Sequence, residues 1–103
     1  MSDNWIKVAK VADIDEDDLI QVKVEDELIA VYNVSGNFYA SSDICTHEYA
    51  CLSDGFVIDG VIECPLHQGC FEIATGKAMG APVDVDLKTY SVKVEGEDIF
   101  ILV

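Results

Sequence analysis

The dominant pattern along the chain is an alternation of apolar and polar residues with a period of two. It is clearest in residues 20–24 (Ile-Gln-Val-Lys-Val), 83–87 (Val-Asp-Val-Asp-Leu) and 90–94 (Tyr-Ser-Val-Lys-Val). This period is typical of half-buried β-strands. Residues 28–34 and 99–103 are instead almost continuously apolar, which predicts strands that are buried on both faces.

Turn-forming residues recur at short intervals between these segments, as in Ser35-Gly36-Asn37 and Glu95-Gly96-Glu97. Residues 57–62 (Val-Ile-Asp-Gly-Val-Ile) predict a β-hairpin, because Asp-Gly readily adopts the positive φ angles of a two-residue turn. At most one helical turn is predicted, near residues 11–17. Many short strands joined by tight turns predict an all-β fold, a small antiparallel sandwich or barrel. The 103 residues predict a single domain, 1–103.

The charge balance is strongly acidic, with 20 Asp and Glu residues, six lysines and no arginine, for a net charge of −14. Such a charge repels nucleic acid and anionic lipid headgroups, so we expect neither as a partner. It favours protein partners with basic patches, which it approaches by electrostatic steering. No apolar run reaches the roughly 18 residues of a membrane span, and the first residues lack the pattern of a signal peptide. We therefore expect no membrane association and a cytoplasmic location.

Both histidines of the chain stand beside cysteines, in Cys45-Thr46-His47 and in Cys64-Pro65-Leu66-His67. One Cys and one His on each of two loops suit a two-iron cluster in which one iron binds the sulfurs and the other binds the nitrogens. A Cys2His2 zinc site is the alternative, since zinc binds the same ligand types. Zinc fingers usually pair Cys with Cys and His with His, however, whereas each loop here is mixed.

The chain resembles the Rieske [2Fe–2S] family, most closely the small soluble ferredoxins of bacterial aromatic-ring dioxygenase systems. The resemblance implies one [2Fe–2S] cluster per chain, with Cys45 and Cys64 on one iron and His47 and His67 on the other. It also implies a cluster-binding subdomain of two loops, approximately residues 43–72, inserted into the β domain. The segments that carry the resemblance are Cys45-Thr46-His47, Leu52-Ser53-Asp54-Gly55, Ile62-Glu63-Cys64-Pro65-Leu66-His67-Gln68-Gly69 and Thr75-Gly76-Lys77-Ala78, and Gly80-Ala81-Pro82 resembles the third loop that covers the cluster.

By this resemblance the chain is an electron carrier and not an enzyme. The resemblance implies a monomer that accepts electrons from a flavin-containing, NAD(P)H-dependent ferredoxin reductase and passes them transiently to the Rieske centre of a terminal aromatic-ring dioxygenase. With both histidines used as ligands, no 2-His-1-carboxylate iron site can be built, and no glycine-rich dinucleotide motif is present. The expected docking surface is Tyr49, Leu66 and Pro82. Two alternatives stay open: a Rieske-type redox or structural subunit bound permanently to a larger oxidoreductase, and a zinc-bound interaction module.

Two hydroxyl groups of the high-potential Rieske proteins are missing here. Those proteins carry a serine two residues after the second histidine ligand and a tyrosine four residues after it, where this chain has Gly69 and Phe71. Asp43, Glu48 and Asp54 further disfavour the addition of negative charge. We therefore expect a potential near the bottom of the Rieske range of about −150 to +300 mV. Glu48, where many relatives have glycine, is expected to be an exposed loop charge.

Cys51 and Cys70 each follow a predicted ligand cysteine by six residues. Respiratory Rieske proteins brace their loops with an extra disulfide at a position where this chain has Leu66, and the dioxygenase-type ferredoxins lack it. A disulfide between Cys51 and Cys70 stays an alternative. In a reducing cytosol we expect packed free thiols instead.

Overall fold

The computed structural model describes residues 4–46, 50–65, 69–80 and 85–102, which form an all-β structure. Within these residues there is no α-helix, and two 3-10 helices occupy Val11–Asp13 and Leu52–Asp54. No helix in this part of the chain is long and apolar enough to cross a membrane. The ten strands are β1 (Trp5–Lys10), β2 (Asp18–Val24), β3 (Glu27–Val34), β4 (Asn37–Ser42), β5 (Phe56–Ile58), β6 (Val61–Glu63), β7 (Cys70–Glu72), β8 (Thr89–Tyr90), β9 (Val92–Glu95) and β10 (Asp98–Leu102).

The strands form three antiparallel sheets, so the all-β prediction is confirmed. Their orders are β1-β10-β9, β2-β3-β4-β8 and β5-β6-β7. The predicted hairpin is also correct: Val57 pairs with Ile62, and the turn residues Asp59 and Gly60 have φ angles of 51° and 78°. The sheet of β5, β6 and β7 lies inside the stretch 43–72, whose status as a separate subdomain stays a prediction.

Strand β3 lies between the two clusters of the hydrophobic core. Its apolar run is buried on both faces, as predicted. Ile29 and Val31 face a cluster that includes Ile99 and Ile101 of β10. Ala30 and Tyr32, on the opposite face, join a second cluster that contains residues of β6 and β7. All four of these β3 residues are fully buried, because β3 has packed layers on both sides.

The prediction of burial on both faces is wrong for β10. Ile99 and Ile101 are fully buried, whereas the residues between and after them are only partly buried. The outer face of this sheet is covered in part by Lys93, whose Nζ lies 4.6 Å from the ring centroid of Trp5 and 5.7 Å from that of Phe100. A long side chain over aromatic rings shields that face without a further layer of strands.

Two strand predictions near the C-terminal end also need correction. Residues 85–87 of the predicted strand 83–87 are irregular, and residues 83 and 84 lie outside the described residues. Their backbone groups make isolated hydrogen bonds to loops and not a ladder with a strand. For example, the N–H of Leu87 donates to the carbonyl of Gly76 at 2.7 Å. The predicted strand 90–94 is interrupted at Ser91, where the chain leaves β4 and joins β10.

We predict that Gly55→Ala destabilises the protein by about 2–3 kcal/mol, as overpacking does. Gly55 lies between the 3-10 helix Leu52–Asp54 and β5, and a Cβ atom built on it overlaps the carbonyl oxygen of Glu63. Gly96→Ala is the matched control: its φ of 63° carries a conformational cost, but no atom lies within 4 Å of its Cβ position. Urea unfolding of both variants measures the difference. Equal denaturation midpoints would show that the Gly55–Glu63 contact relaxes easily.

Candidate metal centre

The two predicted cysteine ligands begin loops that are closed in the same way. The N–H of Cys45 donates to the carbonyl of Ala50 at 2.9 Å, and the N–H of Cys64 donates to the carbonyl of Gly69 at 2.7 Å. Directly outside these hydrogen bonds, Ile44 pairs with Cys51 and Glu63 pairs with Cys70. Each ligand cysteine therefore opens a loop of the same length, residues 45–50 and 64–69, and both loops stand on antiparallel backbone pairs.

Cys45 and Cys64 are buried, with 5% and 1% of their surface exposed. They belong to one apolar cluster, in which the neighbouring side chains Leu52, Ile62 and Phe71 are fully buried. The next residues along the two loops, Thr46 and Pro65, are exposed. The sulfur-bearing residues thus lie at the inner end of each loop, away from water, and the chain continues from them to the surface.

Asp43 fixes the first loop to the rest of the fold. This fully buried residue accepts three hydrogen bonds at its carboxylate: from Gln21 Nε2 at 2.6 Å and from Ser53 N and Ser53 Oγ at 2.7 Å each. Its backbone N–H donates to Leu28, and its carbonyl accepts from Leu52. The three donors occupy both carboxylate oxygens. Asp43 therefore joins β2, β3 and the 3-10 helix Leu52–Asp54 two residues before the ligand Cys45.

Cys51 and Cys70 lie at equivalent positions, one residue beyond each loop. Cys51 is a free thiol, so the alternative Cys51–Cys70 disulfide is not formed in this structure. Its sulfur accepts a long hydrogen bond from Gln21 Nε2, at 3.6 Å. Burial, followed by the charges of Asp43 and Asp54, raises the pKa of the Cys51 thiol. Burial and the charge of Glu63 raise the pKa of Cys70 in the same way. Both groups are therefore poor nucleophiles near neutral pH.

The segment around the predicted third loop is attached to both ligand loops. Met79 N–H donates to the carbonyl of Cys70 at 2.9 Å, just beyond the second loop. Thr46 Oγ1, in the first loop, donates to the carbonyl of Val85 at 2.7 Å. Gly80 lies between these two attachments, and the other two residues predicted for this loop, Ala81 and Pro82, lie outside the described residues.

The structure describes part of the predicted site. His47 and His67 lie outside the described residues, as do Glu48, Tyr49 and Leu66. Of the two positions where high-potential relatives carry hydroxyls, Gly69 closes the second loop through its carbonyl and Phe71 is fully buried.

Sequence reasoning treated Asp43 only as a nearby charge and missed Gln21 and Ser53. The available signal was the proximity of Asp43 and the Leu-Ser-Asp-Gly segment to the first ligand.

The described residues fit a [2Fe–2S] cluster. Two buried thiols, each at the start of a loop with identical backbone closure, supply the sulfur half of the donor set, and thiolates are the protein ligands that iron–sulfur clusters use. The apolar side chains around them exclude water from the sulfurs. No group of three metal-ligating side chains occurs within the described ranges, which contain two of the four predicted ligands.

Comparisons with known proteins give the same assignment. The Rieske [2Fe–2S] domain model matches residues 4–91. The ferredoxin component of the naphthalene 1,2-dioxygenase/salicylate 5-hydroxylase systems of Ralstonia sp. is 50% identical over 95 residues, covering 92% of this chain and 91% of that protein.

Two solved structures are similar over nearly the whole chain. Sphingomonas yanoikuyae B1 ferredoxin has a TM-score of 0.91 at 37% identity, covering 96% of this chain and 98% of its own. A chain from the complex of reduced oxygenase and oxidized ferredoxin in carbazole 1,9a-dioxygenase has a TM-score of 0.90 at 36% identity, covering 95% and 92%. The chain therefore belongs to the Rieske [2Fe–2S] family, whose cofactor is a [2Fe–2S] cluster.

Proposed function

We propose that this protein is the ferredoxin component of an aromatic-ring dioxygenase system and carries one electron at a time. The observation that carries the proposal is its similarity, over nearly its whole length, to a protein that is itself a ferredoxin component of such systems, at 50% identity. A related ferredoxin of comparable length forms a complex with an oxygenase. The acceptor is accordingly a terminal oxygenase. The electron donor is a flavin-containing, NAD(P)H-dependent reductase.

Four residues hold the cofactor in this proposal. Cys45 and Cys64 bind one iron through their thiolates, and His47 and His67 bind the other through their imidazoles. When bound, the cluster supplies a site that takes up and releases one electron. Burial of the two cysteines excludes water from the sulfurs, and Asp43 fixes the chain just before the first ligand. The chain itself performs no bond-making chemistry on the aromatic substrate, so it is not an enzyme.

The proposal includes transient contact with both partners and a cytoplasmic location, where NAD(P)H is available. Stopped-flow mixing of the reduced protein with the oxidised oxygenase component of a naphthalene 1,2-dioxygenase system tests the function. We expect the visible spectrum of the oxidised cluster to return as the oxygenase is reduced. Absence of electron transfer in that mixture would contradict the carrier role. Co-elution of the two proteins at micromolar concentration in gel filtration would instead indicate a permanently bound subunit.

We predict a midpoint potential near the lower end of the Rieske range, about −150 mV. Gly69 and Phe71 offer no hydroxyl to the cluster, and hydrogen bonds from hydroxyls to cluster sulfur and its ligands raise the potential. Protein-film voltammetry of the holoprotein measures this value. A midpoint well above zero would show that other donors replace the missing hydroxyls.

A further inference from the structure

The outer face of the small sheet β5-β6-β7 carries exposed apolar residues along β5, where solvent would favour polar ones. Its inner face is one row of core residues, in which Val57 pairs with Ile62 and Ile62 pairs with Phe71. Since side chains alternate along a strand, the residues on either side of this row point outward. Two outward rows result, one of Phe56, Glu63 and Cys70 and one of Ile58, Val61 and Glu72.

Phe56 and Ile58 are the most exposed large apolar side chains among the described residues, at 61% and 59%. They lie two residues apart on edge strand β5, so they stand side by side on the outer face, and Val61 lies opposite Ile58. An exposed, contiguous apolar group with a polar rim is typical of a protein-interaction surface. We name Phe56, Ile58 and Val61 the β5 patch.

The rim of the β5 patch is acidic. Asp54 and Asp59 lie just before and just after β5. Glu63 lies next to Phe56 in one outward row, and Glu72 lies next to Val61 in the other. No lysine or arginine occurs in the sequence between Lys23 and Lys77, so none lies on β5, β6 or β7. Lys77 follows the turn after β7, and its carbonyl accepts a hydrogen bond from the N–H of Glu72. A matching surface on a partner has an apolar centre and a rim of lysine and arginine.

This charge pattern argues against a second copy of the chain as the occupant. A two-fold dimer would place identical acidic rims opposite each other, and two chains of net charge −14 repel.

The patch also adjoins the metal centre, because the row of Phe56, Glu63 and Cys70 leads directly into the loop 64–69. A partner seated on this face therefore lies beside the loop that bears Cys64.

We propose that the β5 patch and its acidic rim dock onto a basic-rimmed apolar surface of the terminal oxygenase, in addition to the docking residues expected from the sequence, Tyr49, Leu66 and Pro82. The inference rests on the proposed function, from which it takes the oxygenase as acceptor. Phe56 and Ile58 supply the apolar contact, while Glu63 and Glu72 supply the ionic rim. Electron-transfer encounters bury little surface, so two central apolar side chains contribute a large share of the binding free energy.

The test uses the holoprotein and the oxygenase component of a naphthalene 1,2-dioxygenase system. The apolar variant is Phe56→Ala with Ile58→Ala, and its control is Val94→Ala, which removes an exposed apolar residue from β9. The charge variant is Glu63→Gln with Glu72→Gln, and its control is Glu97→Gln, an exposed acid distant in sequence. Calorimetric Kd values and second-order electron-transfer rates are measured at low and high salt, with visible spectra and midpoint potentials recorded for each variant.

We expect the apolar variant to weaken binding and slow transfer about tenfold at all salt concentrations, with spectrum and potential unchanged. The charge variant should weaken binding and slow transfer only at low salt. Both controls should have Kd values and transfer rates within about twofold of wild type. Wild-type rates in both test variants would overturn the inference. A loss accompanied by a changed potential, or one seen only with a reductase, would overturn it as well. Failure of the wild-type protein to reduce the oxygenase would instead contradict the proposed function.

Discussion

Replacing Cys64 by serine is expected to abolish cluster assembly. Cys64 is 1% exposed and opens the loop 64–69, so its thiolate is a proposed iron ligand at the buried end of the site. Serine has nearly the same shape but is a poor ligand for iron in these clusters, which are held by thiolates. We expect iron and acid-labile sulfide per chain to fall at least about tenfold, together with loss of the visible absorption.

Cys51→Ser is the matched control, because Cys51 lies one residue beyond its loop and is not a proposed ligand; its sulfur accepts a long hydrogen bond from Gln21. This variant should retain the full iron and sulfide content. His67→Ala should lose the Rieske spectrum as Cys64→Ser does. A variant at Cys64 or His67 that keeps the wild-type spectrum would refute the ligand assignment at that position.

Asp43→Ala should lower the free energy of unfolding by about 3 kcal/mol, the second large effect. The change removes the carboxylate that accepts three hydrogen bonds. Three donors then lose their acceptor: the N–H of Ser53, the hydroxyl of Ser53 and the side-chain amide of Gln21. Losing hydrogen bonds to a buried charge costs about 1.5–3 kcal/mol each, less whatever water recovers. For a domain of this size, the apparent melting temperature of the holoprotein should fall by roughly 15 °C.

Two variants separate the hydrogen bonds from the charge. Asp54→Ala removes an exposed carboxylate nearby and should change the melting temperature by only about 2–4 °C. Asp43→Asn keeps one acceptor but sets an amide donor against the donors of Gln21 and Ser53, so its stability should lie between wild type and Asp43→Ala. If Asp43→Ala and Asp54→Ala have the same melting temperature, the three hydrogen bonds to Asp43 do not stabilise the first ligand loop.

The sequence predicts most of the fold because its strongest signals are local. The apolar–polar alternation of residues 20–24 predicts β2, and the continuous apolar run of residues 28–34 predicts β3 with both faces buried. The Asp59-Gly60 dipeptide alone predicts the hairpin of β5 and β6, since its two positive φ angles suit few other residue pairs.

The errors arise where tertiary partners decide the outcome. The alternation of residues 90–94 is that of a single strand, but Tyr90 pairs with Ala40 and Val92 with Ile101, in different sheets. No local pattern marks Ser91 as the point of exchange. Likewise, the chain from 85 to 87 alternates, yet it forms no ladder with any strand in the part of the chain that the structure describes, and the N–H of Leu87 donates to the loop residue Gly76 instead.

The candidate site likewise has a part that local sequence predicts and a part that tertiary structure decides. Cys45 and Cys64 are recognisable from their spacing to histidine, because ligand geometry requires particular residue types at short separations. Asp43 is one acid among 20 in the sequence, and its role depends on Gln21, 22 residues earlier, and Ser53, 10 residues later. Only the pairing of β2 with β3 and the fold of the 52–54 turn bring those donors to it.

The closure of the two ligand loops by main-chain hydrogen bonds has a consequence for divergence within the family. The bonds from Cys45 to Ala50 and from Cys64 to Gly69 use only N–H and carbonyl groups, which every residue except proline supplies in full. The anchoring of the cysteines therefore does not depend on which side chains occupy the non-ligand positions between them. Mutation can remodel the loop tips to suit a new redox partner while the cofactor's attachment is inherited unchanged.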